Sequence, residues 1–64
     1  MINISTLKKG DVIINPTWGE GVIIHLGGFG KFVYADFKAS GRTLYIAEED
    51  AEHFELKQKG NKNE

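Results

Sequence analysis

Glycine and proline interrupt this chain at short intervals, which leaves no room for a long helix. They occur at Gly10, Pro16, residues 27–30 and Gly41, about every ten residues, a spacing typical of short strands in a sandwich or barrel. Proline also holds the residue before it in an extended conformation and cannot donate to a strand ladder. These turn signals predict an all-β domain built from short strands.

The chain has 64 residues and no cysteine, so its stability has to come from an apolar core. A chain of this size forms one domain and buries only about 60% of its unfolded surface. The absence of cysteine excludes disulfides and cysteine-based zinc sites, and it favours the reducing cytoplasm. Residues 1–9 contain no apolar signal region, and no apolar run is long enough for a membrane span. We therefore expect a small cytoplasmic binding module.

The third of five predicted strands, Phe32–Phe37, shows the clearest alternation. Alternate residues of a strand point to opposite faces, and one set is assigned to the core: Val33, Ala35 and Phe37. The outward set is Phe32, Tyr34 and Asp36. The other strands are predicted at residues 11–15, 22–26, 42–46 and 53–56. In the last two strands, the residues predicted to face the core are Leu44, Ile46, Phe54 and Leu56.

The second strand does not follow a simple alternation, because Ile23 is as apolar as its neighbours on both sides. A strongly bent strand shared between two parts of the sheet would explain this, with Gly19 and Gly21 allowing the bend. A single helical turn is predicted at residues 47–51, and residues 57–64 are predicted to be a disordered polar tail. The fold is therefore predicted as a small SH3-like, Tudor- or KOW-like, five-stranded barrel over residues 1–56, with its core in 7–56.

Residues able to perform catalysis do not form a recognisable set. His25 and His53 have no cysteine nucleophile to work with, and no nucleophile elbow surrounds either serine. The Gly-rich segment 27–31 lacks the spacing of a phosphate-binding loop, since Phe32 stands where that loop needs Ser or Thr. Turn glycines of a hairpin explain it better. We expect no enzymatic activity, no cofactor and no metal site.

Two segments of the sequence resemble a known group of small barrels. The first lies between residues 7 and 23, and its matching elements are Gly10, Asp11, Ile13, Asn15, Pro16, Trp18, Gly19, Gly21 and Ile23. Further matching positions are Phe37, Gly41, Leu44, Ile46 and Leu56. Residues 7–56 thereby resemble the Tudor-like C-terminal barrel of UvrD and PcrA helicases, and the RNA polymerase-interacting barrel of CarD and the transcription-repair coupling factor. Asn15 stands where these families often have histidine. The resemblance implies a transcription or DNA-repair accessory barrel that docks on the β subunit of RNA polymerase.

The residues proposed to bind a protein partner are the outward aromatic side chains and one cation. Aromatic residues on an outer sheet face are usually replaced by polar ones unless something covers them. We therefore expect a monomer whose partner-binding residues are Phe29, Phe32, Tyr34, Arg42 and Tyr45. The alternative is that the N-terminal residues 2–7 or the C-terminal turn cover the aromatic rings. A free edge strand could also extend a partner's sheet.

A nucleic-acid-binding module is the alternative function. Bases would stack on the same aromatic face, while Lys31, Lys38 and Arg42 contacted phosphates. The net charge of −1 and the scattered basic residues make this less favourable. The acidic run at residues 48–52 is interpreted either as a docking patch for a basic partner or as a solvated turn. Trp18 is predicted to close one end of the barrel.

Overall fold

Within residues 1–60, five antiparallel strands form one sheet in the order β4-β3-β2-β1-β5. A computed structural model describes residues 1–60 of the chain. The strands are β1 Val12–Asn15, β2 Gly19–Gly27, β3 Phe32–Phe37, β4 Arg42–Ala47 and β5 Glu55–Gln58; two 3₁₀ turns are η1 Ile4–Thr6 and η2 Glu48–His53. This confirms the small all-β barrel with a helical turn before its last strand. No helix in residues 1–60 is long and apolar enough to cross a membrane.

The long strand β2 is shared between the two halves of the sheet. Its residues Gly19 to Val22 pair with β1, whereas its residues from Val22 to Gly27 pair with β3. The register shifts between Ile23 and His25, as expected where an extra residue forms a bulge. Ile23 is buried and Ile24 is exposed. The bulge therefore resolves the irregular alternation of this strand.

The core lies on the inner face of β3. Val33, Ala35 and Phe37 are at most 1% exposed, and Ile46 of β4 packs with them, as predicted. Gly21 makes room for the Phe37 ring, because a Cβ atom added there would lie 2.5 Å from ring carbons. Leu44 is partly buried against the same cluster. Phe37 of β3 therefore packs at a place where β2 has room only for a glycine.

The N-terminal segment belongs to the core, although no element was predicted there. Ile2, Ile4 and Leu7 are buried with the inner residues of β3 and β4, and the Ile2 amide donates to the Ala51 carbonyl in η2. The Asn3 side chain caps η1 by accepting from the Ser5 amide. These residues are therefore part of the core of the barrel.

The C-terminal part differs from the prediction in two ways. Phe54 is buried as expected, but Leu56 is 42% exposed and does not cover the barrel, because β5 is an edge strand whose four residues are all exposed. Lys57 and Gln58 lie in β5 rather than in the predicted tail. Residues 61–64 of that tail lie outside the described residues.

Asp11 holds the chain segment after β5 against the turn before β1. Its carboxylate is 1% exposed and accepts from the amides of Gly60 and Lys8 at 2.5 and 2.9 Å, with the Lys59 Nζ 3.5 Å away. Burial alone would raise the pKa of Asp11, but the two amide hydrogen bonds and the Lys59 charge outweigh it and lower the pKa below 3.8.

The Asp11 contacts predict a loss of stability in acid. A carboxyl group with a lowered folded pKa stabilises the fold above its unfolded value, and this contribution is lost as the pH falls through the folded pKa. We expect Asp11→Asn to reduce the free energy of unfolding at pH 7 by about 1–3 kcal/mol. Urea unfolding at pH 7 and below pH 4 measures this. A variant as acid-sensitive as the wild type would contradict the role of Asp11.

Candidate functional site

The outer face of the sheet carries a cluster of four aromatic rings, contributed by β2, β3 and β4. Neighbouring ring centroids lie 5.0–5.8 Å apart, within the range of attractive aromatic pairs. The members of this aromatic cluster are His25, Phe32, Tyr34 and Tyr45. The structure thus brings together three of the predicted partner-binding residues.

Strand register explains why these rings meet. Tyr34 of β3 lies directly opposite Tyr45 of β4 and opposite His25 of β2. Phe32 lies opposite Gly27, where an added Cβ atom would be 2.4 Å from its ring. The ring of Phe32 therefore occupies the space beside a glycine, and it contacts both tyrosines.

His25 was missed as a member of this cluster. Alternation along β2 cannot assign its face, because the bulge at Ile24 changes the register. Counting back from the loop would have placed it: with Phe32 opposite Gly27, the residue opposite Tyr34 is His25. The length of the β2–β3 loop was therefore enough to predict the position of His25 from the sequence.

The aromatic cluster is accessible and separate from the core. Tyr45 is 55% exposed, and Phe32 and Tyr34 are half-buried. The N-terminal residues Ile2 and Ile4, which were an alternative cover for these rings, pack in the core cluster instead. The rings of the outer face are therefore not covered by this segment.

Phe29 lies at the tip of the loop between β2 and β3, at the end of the sheet where Phe32 begins its strand. Its backbone has φ 54, in the left-handed region, which is a costly conformation for a bulky residue. Its side chain is fully exposed, at 106%. No contact within the described residues explains a phenylalanine at this position.

Arg42 does not lie with the aromatic cluster. It has the same parity on β4 as Leu44 and Ile46, and its guanidinium carbon lies 5.5 Å from the centroid of the Trp18 ring, over that ring. Lys31 and Lys38 flank opposite ends of the six-residue strand β3, about 20 Å apart along it. Lys31 therefore lies about one strand length from Lys38 and Arg42, which flank the β3–β4 turn.

Trp18 is half-buried in the turn between β1 and β2 and packs against the core. Asn15 fixes this turn: its Oδ1 accepts from the amides of Thr17 and Trp18 at 2.8 and 3.1 Å. Its Nδ2 donates to the His53 carbonyl at 2.7 Å. One buried side chain thus joins the β1–β2 turn to η2.

Within residues 1–60, no group of three or more His, Cys, Asp or Glu side chains is arranged to hold a metal ion. Comparison with family models, curated proteins and solved structures found no match for this chain. None of them connects the chain with the helicase or polymerase-binding barrels that residues 7–56 resemble. A function therefore has to be argued from the surface itself.

The role of Asn15 predicts a specific loss of stability. Asn15→Ala leaves two amides and one carbonyl without their partner, which should cost about 1–3 kcal/mol and shift the Trp18 emission to longer wavelength. Urea unfolding followed by Trp18 fluorescence measures both effects. Asn15→Asp is the control, because it keeps the acceptor and loses only the donor to His53; a native emission spectrum in Asn15→Ala would contradict this role.

Proposed function

We propose that this chain is a non-catalytic protein-interaction module that binds a partner protein through the aromatic cluster and Phe29. The observation that supports it most is Phe29, a fully exposed aromatic residue held in a left-handed conformation. A solvated loop tip would be more stable with glycine or asparagine there. Backbone strain of this kind is typical of residues that contact a ligand or partner.

The aromatic cluster supplies the rest of the surface. Tyrosine and phenylalanine give a large contact area with few rotatable bonds, which suits the centre of an interface. Their mutual ring contacts already restrict them before a partner arrives, so less side-chain entropy is lost on binding. A rigid apolar face of this kind favours a protein partner.

The first partner to test is RNA polymerase, and the proposed role is that of a transcription or DNA-repair accessory barrel in the cytoplasm. The reason for naming it is the resemblance of residues 7–56 to barrels that bind the polymerase β subunit. The chemistry of the surface requires only a partner with a complementary apolar patch.

The tyrosines predict a separation of binding from folding. Tyr45→Ala and Tyr34→Ala should each leave the barrel folded, losing about 1 kcal/mol of ring contacts, and should abolish capture of purified RNA polymerase. The measurement is interferometry on the immobilised chain, with circular dichroism to monitor the fold. Thr43→Ala, an exposed change on the same strand, is the matched control. Loss of stability with undiminished capture would place the tyrosines in a structural role.

We expect substitution of Phe29 to change the stability of the chain and its partner binding in opposite directions. Phe29→Asn relieves the left-handed strain and should raise the free energy of unfolding by up to about 1 kcal/mol, while weakening partner capture. Urea unfolding and the same capture assay measure the two effects. Phe29→Leu keeps an apolar side chain and does not relieve the strain. It therefore separates the effect of backbone strain from the effect of losing the apolar contact. Unchanged capture by Phe29→Asn would remove Phe29 from the interface.

A nucleic-acid-binding module of the KOW or Tudor kind is the second candidate, with bases stacked on the same aromatic rings and Lys31, Lys38 and Arg42 near phosphates. The separation of these cations and the net charge of −1 disfavour it. We expect at most weak binding of a fluorescent single-stranded oligonucleotide at physiological salt. Tight binding that falls steeply with added salt would favour this candidate over a protein partner.

A further inference from the structure

A second concave surface lies beside β4 and is separate from the Phe29 loop. It is a cleft of about 380 Å³, lined by Trp18 of the β1–β2 turn, residues 44–46 of β4, and Asp50 and His53 of η2. The Asn15 hydrogen bonds hold its two sides together, since they join the Trp18 turn to the His53 carbonyl. The cleft is therefore a fixed feature of the barrel.

The backbone of β4 forms one wall of this cleft. Three consecutive residues of the strand line it, although consecutive side chains point to opposite faces. These residues can therefore line the same cleft only through their backbone, at the edge of the strand. Within residues 1–60, β4 pairs only with β3, so its other edge has amides and carbonyls available to an added strand. An extended segment fits this geometry.

The charged residues around the cleft indicate which charge a bound segment should carry. Residues 43–55 contain five carboxylates and no lysine or arginine; Asp50 lines the cleft, and Glu55 is paired with the N-terminal ammonium. Trp18 already holds a cation over its ring, since the Arg42 guanidinium carbon lies 5.5 Å from the ring centroid. Because Arg42 already lies over the Trp18 ring, the attraction for an added basic side chain comes from Asp50 and the other carboxylates of η2.

We propose that the cleft beside β4 binds an extended basic segment of a partner protein. The segment pairs with the free edge of β4 and places an arginine or lysine side chain near Asp50, on the η2 side of the cleft. This site shares the protein-binding role proposed above and lies beside the aromatic cluster, with Tyr45 common to both surfaces; its test does not depend on the identity of the partner.

The single tryptophan of the chain provides a local readout. The probe is a short synthetic peptide that alternates valine and arginine, titrated into the intact chain while Trp18 emission is recorded. We expect saturable binding with a shift of the emission. A peptide that alternates valine and glutamate should produce no shift. A valine–arginine peptide methylated on its backbone amides should bind more weakly, because it can no longer donate hydrogen bonds to the carbonyls of β4.

Two Asp→Asn variants separate the cleft from general attraction to an acidic protein. Asp50→Asn keeps an acceptor for the Ala47 amide, which Asp50 now contacts at 3.3 Å, and should weaken peptide binding about five-fold. Asp36→Asn removes the same charge from the outer face of β3 and should change nothing. Tyr34→Ala should retain peptide binding even where it abolishes partner capture, so the two proposals can fail independently.

Several outcomes would overturn the proposal. These are no emission change with the arginine peptide, equal binding of the glutamate peptide, equal binding of the methylated peptide, or equal effects of Asp50→Asn and Asp36→Asn. The last would show that the peptide responds to net charge and not to the cleft.

Discussion

The packing of Phe37 against Gly21 determines how the rest of the barrel is arranged. The ring fills the space that a side chain on β2 would take and also lies 6.0 Å from the Phe54 ring. Once Phe37 is inside, the two-residue period of β3 forces Tyr34 and Phe32 to the outside. The aromatic cluster is thus a consequence of core packing, and a one-residue slip of β3 would destroy both.

The same alternation gives β4 two different surfaces. Tyr45 joins the aromatic cluster on the outer face, while Leu44 and Ile46 turn towards the core. Because β4 is also an edge strand, its backbone is open to the cleft beside η2. A single short strand therefore connects the two surfaces that are proposed to bind proteins.

Local sequence patterns were sufficient to predict the structure where one face of a strand is buried and the other is exposed to solvent. The bounds of β3 and the inner position of Ile46 followed from alternation alone. Position in the sheet is not a local property, so the exposure of Leu56 on the edge strand β5 was not predicted. The bulge at Ile24 and the burial of Ile2 likewise depend on partners distant in sequence.

The candidate site likewise contains residues whose position follows from the sequence and residues whose position does not. Phe32, Tyr34 and Tyr45 could be grouped from the sequence, because hairpin pairing puts them on one face. Arg42 was predicted to belong to the same surface, yet its parity on β4 is that of Leu44 and Ile46, and its guanidinium lies over Trp18. Strand parity decides which side of a sheet a residue serves, and it was a stronger guide than residue type.

The position of Arg42 also bears on the choice between protein and nucleic acid. A guanidinium that lies over a tryptophan ring is partly engaged within the chain, and the two lysines lie at opposite ends of β3, about 20 Å apart along the strand. Within residues 1–60, the cation that lies over an aromatic ring is Arg42 over Trp18, outside the aromatic cluster. Binding of single strands combines stacked bases with a continuous basic groove. An aromatic face without such a groove favours an apolar protein surface.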